Sequence, residues 1–202
     1  MPKHARTTSR SPQFAKYLTC VDAIASPVVR RPDPEQLLRA RKTLGEFMTA
    51  TVQAAATELG FGYIGTPDAP STYQQLRAAY DRSASTGEPL PISDEYCDGT
   101  IYLTPEENIK FRFWHDTSHI ARGLSFRLED EWELALWHLE QLRLAGLGPG
   151  TLEYELFRID VLGQVIVQAL IQRFPYDQRL FSLHSLDVGM DAGILAEVRR
   201  RP

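Results

Sequence analysis

The chain has 202 residues, 43% of them hydrophobic and 24% charged, with a net charge of −4. That is the composition of one globular domain large enough to bury a core, and its mild acidity gives no general attraction to nucleic acid. Cys20 and Cys97 are the only cysteines, which excludes a disulfide framework or a thiolate metal site, and no run of about 18–20 apolar residues offers a membrane span. The expectation is a cytoplasmic protein, with peripheral contact to a membrane left open.

Residues 1–32 differ in kind from the rest. Lys3, Arg6, Arg10, Lys16, Arg30 and Arg31 face one acid, Asp22, among interspersed serines and threonines. The segment reads as a loosely ordered basic arm, in which Phe14, Tyr17, Leu18, Val21 and Ile24 could form a short docking helix; a transit peptide or partner-binding arm is the alternative. Residues 33–202 read as a helical domain. Asp33-Pro34 with Gln36 is a capping box opening a first helix, whose Leu37, Leu44, Met48, Val52, Ala55 and Leu59 share one face. A turn-rich break follows from Gly60 to Pro70. A shorter helix from Ser71 to about Arg82 uses Leu76 and Tyr80, and Ser83 to Pro91 reads as loop. Alternation over Glu95–Leu103, around Asp98-Gly99, predicts a small β-hairpin.

Thr104, Pro105 and Glu107 form a second capping box, so a helix starts at Pro105 and runs to about Ile120, ending near Gly123. Another spans about Leu128 to Leu144, with Trp132, Ala135, Leu136, Leu139 and Arg143 on one stripe. Gly146 to Gly150 is a turn between helices. Thr151 to about Phe174 is apolar nearly all round and reads as the central helix of a bundle. Asp160 and Gln164 within it are polar groups that need partners if buried, and rank as second-tier site candidates. Pro175 ends this helix, and a last one is predicted from near Ser185 or Asp187. His184 has no companion in sequence. The fold class is all-α: a single-domain multi-helix bundle with at most the one hairpin.

The chemistry concentrates in His115-Asp116-Thr117-Ser118-His119, followed after eleven residues by Glu131. Histidines at i and i+4 stand one above the other on a helix, spaced for one metal ion to take an imidazole from each turn. A carboxylate from the next helix would be a third ligand, leaving a position open for water or substrate on zinc or non-haem iron. Asp116 is a candidate ligand, a proton-handling catalytic group or a hydrogen-bond partner of a ligand; the bland reading is a solvated carboxylate. Glu131 lines up with Ala135 and His138, while Glu133 lies on the neighbouring stripe with Trp137 and Glu140, and spacing does not choose between the two acids. His138 is a candidate fourth ligand, weighed against a satisfied histidine on the helix surface. Glu107 is explained by capping. An incidental pair of histidines is the competing account of the whole motif.

The pattern H-D-x-x-H, eleven residues, E resembles the metal-site signature of the ubiquinone biosynthesis protein 4 family, carried here by His115, Asp116, His119 and Glu131. Gly123-Leu124 follows at the family's spacing. Glu133-Leu134-Ala135-Leu136-Trp137-His138-Leu139-Glu140 also looks like the family's segment after its glutamate, two residues out of phase, which keeps Glu133 open as the ligand. The resemblance covers about residues 104–144. It implies an all-helical protein that binds a zinc-like divalent ion, associates with membranes and with other pathway proteins, and handles a quinone precursor or other isoprenoid lipid. Self-association is a further expectation.

Two other classes compete. His-Asp pairs also mark HD-domain metal-dependent phosphohydrolases, for which Asp160 or Asp187 could supply the downstream aspartate. The histidine those enzymes need on an earlier helix is missing, since His4 is the only one before His115. A non-catalytic interaction protein with a structural zinc would need a fourth protein ligand, such as Asp116 or His138. The sequence therefore predicts a divalent metal, zinc first and iron second, on His115, Asp116, His119 and Glu131.

Overall fold

The computed structural model describes residues 32–200. The basic arm, up to residue 31, lies outside the described residues. The first helix, α1 (Pro34–Leu59), begins at the Asp33 capping box, where Gln36 N donates to Asp33 Oδ1 at 2.8 Å and Asp33 N donates to Gln36 Oε1 at 3.1 Å. Leu44, Met48 and Val52 are buried along its inner face. Strand β1 (Tyr63–Thr66), helix α2 (Tyr73–Thr86) and strand β2 (Leu90–Ser93) follow. The two strands pair in parallel, Tyr63 opposite Leu90 and Thr66 opposite Ser93, with α2 as the crossover that a parallel pair requires.

This sheet replaces the hairpin expected over Glu95–Leu103, where the structure has turns and bends. The carbonyls that a hairpin would use are taken elsewhere. Arg41 on α1 donates through Nε to Ile101 O at 2.7 Å and through Nη2 to Tyr102 O, while Gly99 O accepts from Arg179 N at 2.7 Å. Strand β1 falls instead in the segment expected to be a turn-rich break, and β2 starts in the last two residues of the segment expected to be loop and runs past it. Leu90 and Ile92 alternate inward, both with no exposed surface, and four residues are too short for periodicity to announce a strand.

Helix α3 (Pro105–Arg122) opens at the predicted capping box, with Glu107 N donating to Thr104 Oγ1 and Thr104 N to Glu107 Oε2, each at 3.3 Å. It packs on α1 and leads into α4 (Leu128–Leu144). The next helix is continuous from Leu152 to Ile171 but changes pitch: α5 (Leu152–Arg158), a π-helical turn at Ile159–Gly163, then α6 (Gln164–Ile171). Every residue of the π turn is buried, so this element sits at the centre of the bundle as its all-round apolarity implies. In place of one terminal helix starting near Ser185 there are two, α7 (Gln178–Val188) and α8 (Met190–Arg199). Asp177 caps α7 by accepting from Leu180 N at 2.7 Å, a start signal that the preceding Pro175 overshadowed, and Gly189 at φ 94° turns the chain between the two. One core joins α1, the strands, α3, α4 and the central helix. The described residues form an all-α, multi-helix domain with one small parallel sheet, and none of their helices is long and apolar enough to cross a membrane.

Candidate metal centre

Two helices and the turn between them assemble the site. Helix α3 ends at Gly123, whose φ of 67° places it in the left-handed region that suits glycine, and Leu124 N then donates to His119 O at 2.9 Å. Ser125 is tied to Asp130 by bonds from its N (3.0 Å) and Oγ (2.5 Å) to Asp130 Oδ2. That fastening fixes the approach to α4 and delivers Glu131 in its first turn, where the helix dipole favours a carboxylate.

His115, His119 and Glu131 converge, with one ligand atom from each lying within 4.8 Å of the others. The separations are 3.0 Å between His115 Nε2 and His119 Nε2, 3.4 Å from His115 Nε2 to Glu131 Oε2, and 3.5 Å from His119 Nε2 to Glu131 Oε1. Bonds of about 2.0–2.2 Å to a tetrahedral ion put neighbouring ligand atoms about 3.3–3.6 Å apart. The two carboxylate separations match, and the two nitrogens stand a few tenths of an ångström too close. This donor set can hold a divalent metal ion. Glu131 is therefore the acid the fold brings to the histidines, and Glu133 is outside the group.

Around the three donors the polar partners are specific. His119 has no exposed surface, and its Nδ1 lies 3.1 Å from Leu124 O. A carbonyl only accepts, so Nδ1 carries the proton and a neutral His119 turns a bare Nε2 toward the centre. His115 Nδ1 lies 3.3 Å from His138 Nε2. His138 is neither the surface histidine nor the fourth ligand that the sequence offered: it has no exposed surface and its ring packs against Trp114 at 4.1 Å between centroids. It touches the far side of His115, away from Glu131. Its own Nδ1 is buried without a partner among the described residues. Nothing in the sequence separated this role from a surface position, because the turn after Gly123 decides which stripe of α4 faces α3.

Charge in the cluster is strongly coupled. Burial works to lower the pKa of His115, but the hydrogen bond and charge of Glu131, with Asp116, carry it above the ordinary value. Burial works to raise that of Glu131, yet the hydrogen bonds and charges of His115 and His119 bring it down to about 2. His138 is held well below the ordinary histidine range by burial and by its imidazole neighbours and Arg122. Asp116 is pushed up to about 6 by burial, opposed by the two histidines and reinforced by Glu131. It is not a member of the converging group, since the next residue on a helix points about 100° round the axis.

Arg112 on α3 also bears on the centre and was not singled out from the sequence. It donates from Nη1 to Ser93 O at 2.8 Å, and its charge bears on His115, Asp116 and Asp160. Its only signal was position, one helical turn before Asp116. Asp160 sits on the π turn, accepts from Gln164 Nε2 at 2.5 Å and is raised by burial to about 7. The second-tier pair thus satisfies itself. His184 is exposed.

Comparison with family models, curated proteins and solved structures gives no match for this chain.

Proposed function

We propose that this chain is a mononuclear zinc protein of the kind its motif resembles, the ubiquinone biosynthesis protein 4 family, with a quinone precursor or other isoprenoid lipid as its ligand. The observation that carries the metal assignment is the convergence of His115 Nε2, His119 Nε2 and a Glu131 oxygen at 3.0–3.5 Å. The ligand class rests on the resemblance alone. The donors are two imidazoles and one carboxylate, a set that suits zinc first and non-haem iron second. A bound zinc ion would supply Lewis acidity, polarising a substrate oxygen or making a bound water more acidic.

The residues contribute the rest. Leu124 O orients the His119 ring, and Glu131 brings a negative charge that partly offsets a divalent cation. Asp116, its pKa pushed up by burial to about 6, would take or return a proton at a substrate oxygen, which is the catalytic role assigned to it here. Three protein donors rather than four among the described residues favour an open coordination position, and so chemistry over a purely structural zinc.

Elemental analysis of untagged protein tests this, beside a His115→Ala/His119→Ala double variant. The expected result is about one equivalent of zinc in the wild type and little in a variant that keeps its helical circular dichroism. No metal as purified, and none after reconstitution, overturns the proposal. Quinone-like and isoprenoid probes then test the ligand class on the loaded protein.

A further inference from the structure

If His115 and His119 are ligands, the protons on the histidine chain must be rearranged, and the geometry says where they go. This inference rests on the metal reading above. Three rings and a carbonyl form one connected line: His138 Nε2 to His115 Nδ1 (3.3 Å), His115 Nε2 to His119 Nε2 (3.0 Å), and His119 Nδ1 to Leu124 O (3.1 Å). A carbonyl oxygen has no proton, so the direction of the line is set from that end. His119 donates to Leu124 O and accepts at Nε2. A neutral His115 must then donate from Nε2 and accept at Nδ1, and a neutral His138 must donate from Nε2. Every bond in the line has one proton. Beside the line Glu131 lies 3.4 Å from His115 Nε2 and 3.5 Å from His119 Nε2, an acceptor that shares the His115 proton. The one ring atom left over is the bare Nδ1 of His138, buried without a partner among the described residues.

A metal at the centre needs lone pairs on both Nε2 atoms. His119 already offers one. His115 does not: its proton has to leave Nε2, and the ring stays neutral by holding a proton on Nδ1 instead. That proton is the one shared with His138, so His138 turns from donor to acceptor at Nε2 and takes a proton on Nδ1. One proton lost at His115 Nε2 is balanced by one gained at His138 Nδ1, and the net charge of the two rings is unchanged. The cost falls on His138, whose unpartnered buried atom changes from a lone pair to an N–H. An orphaned buried N–H is the rarer and more costly of the two.

We infer that His138 is a positioning residue of the metal centre that acts through a tautomer exchange. It donates to His115 in the metal-free protein and accepts from His115 in the loaded one. The fold restrains both states, because Trp114 packs against the His138 ring at 4.1 Å and Trp137 at 5.1 Å between centroids, leaving the ring little freedom to turn away. Loss of an accepting partner behind a metal-bound histidine typically weakens metal binding by about 10–100-fold.

The test is a long-range proton–nitrogen spectrum of 15N-histidine-labelled full-length protein at pH 8.5, metal-free and with one equivalent of zinc. Single histidine substitutions assign the rings. The expected result is an Nε2–H tautomer for His138 without metal and an Nδ1–H tautomer with it. In parallel, zinc affinity is measured by chelator competition for wild type, His138→Leu and His138→Gln. His138→Leu, which cannot accept from His115, should bind about 10–100-fold more weakly. His138→Gln, whose amide oxygen can accept, should recover most of that loss. Zinc bound at one equivalent with the His138 tautomer unchanged overturns the inference and leaves the metal site standing. Wild-type affinity in a folded His138→Leu does the same. Absence of zinc binding in the wild type overturns both readings. If His138→Leu does not fold, the wild-type spectra decide the matter alone.

Discussion

Two carboxylates in this protein are held at the first or last turn of a helix among nitrogen donors, and they differ in what surrounds them. Glu197 on α8 has a side chain 1% exposed; Arg173 Nη1 donates to its Oε1 at 2.8 Å, Tyr176 N to the same oxygen at 3.2 Å, and Arg200 Nε lies 3.4 Å from Oε2. Its partners are donors at every ordinary pH. Glu131 on α4 is 24% exposed at its side chain and meets two imidazole nitrogens. His115 Nε2 can carry a proton or a lone pair, and His119 Nε2 carries a lone pair in the neutral ring, whose proton Leu124 O holds on Nδ1. The first arrangement is complete as it stands. The second has bare-lone-pair states that repel a carboxylate unless a proton or a cation lies between. Ion pairing to arginine marks a structural acid, whereas convergence with switchable rings marks a site.

The sharpest way to break this contrast is to remove each acid from metal-free protein. Glu197→Ala leaves Arg173 without its buried partner and should cost about 3–5 kcal/mol in urea unfolding, while the folded fraction keeps its metal uptake. Glu131→Ala should cost far less stability and abolish uptake. Equal costs for the two would make Glu131 a structural acid. Next in size is the linkage between metal and folding. Free zinc at about 100 times its dissociation constant should stabilise the wild type by about 2.7 kcal/mol, a rise of roughly 5–10 °C in Tm for a domain this long. Glu131→Ala and His119→Ala should show no such rise in calorimetry.

What the sequence made legible follows the same division between local and distant causes. The capping boxes at Asp33 and Thr104 and the i, i+4 pair at His115 and His119 depend on residues within a few positions, and the helices carrying them start as expected. The choice of Glu131 over Glu133, and the placing of His138 behind His115, depend on how α4 is rotated against α3. That rotation is set by the Gly123 turn and the Ser125–Asp130 fastening, which periodicity cannot supply. The strands failed for a related reason. Tyr63–Thr66 and Leu90–Ser93 are four residues each and pair across an intervening helix, so no local pattern announces them. In Glu95–Leu103 the alternation was real, but Arg41, 60 residues away from Ile101 in sequence, claims its carbonyls.

The joint between α7 and α8 sharpens the contrast from the structural side. A Cβ on Gly193 would lie 2.0 Å from Ser185 Oγ and 2.9 Å from Ser185 Cα. The serine side chain can rotate, but a backbone atom yields only if the helices separate. Gly193→Ala should therefore destabilise by about 1–3 kcal/mol, read in chemical denaturation. Zinc affinity of the folded protein should stay at the wild-type value, because no donor lies on either helix. A coupled loss of affinity would mean that the carboxy-terminal pair takes part in shaping the centre.

Asp160 gives the smallest effect and tests the boundary between the two regions. Burial raises its pKa from an ordinary 3.8 to about 7, against the hydrogen bond from Gln164 and the charge of Arg112. A group bound more tightly by its proton in the folded state stabilises fully below the unfolded pKa and loses that contribution as pH rises through the folded one. The wild type should thus lose stability between about pH 4 and pH 7 relative to Asp160→Asn, which resembles the protonated acid and keeps an acceptor for Gln164. A displacement of about three units sets a ceiling of about 4 kcal/mol. The new amide needs a partner of its own at every pH, a constant cost of about 1–3 kcal/mol, so the gain at pH 8 falls below that ceiling by the same amount. At pH 4 the wild type should be the more stable of the two by that cost, and the sign should reverse as pH rises. Urea unfolding at pH 4, 6 and 8 measures the difference, and a gap that stays constant across that range would show that Asp160 is already ionised in the fold at acid pH, with Arg112 as its true partner.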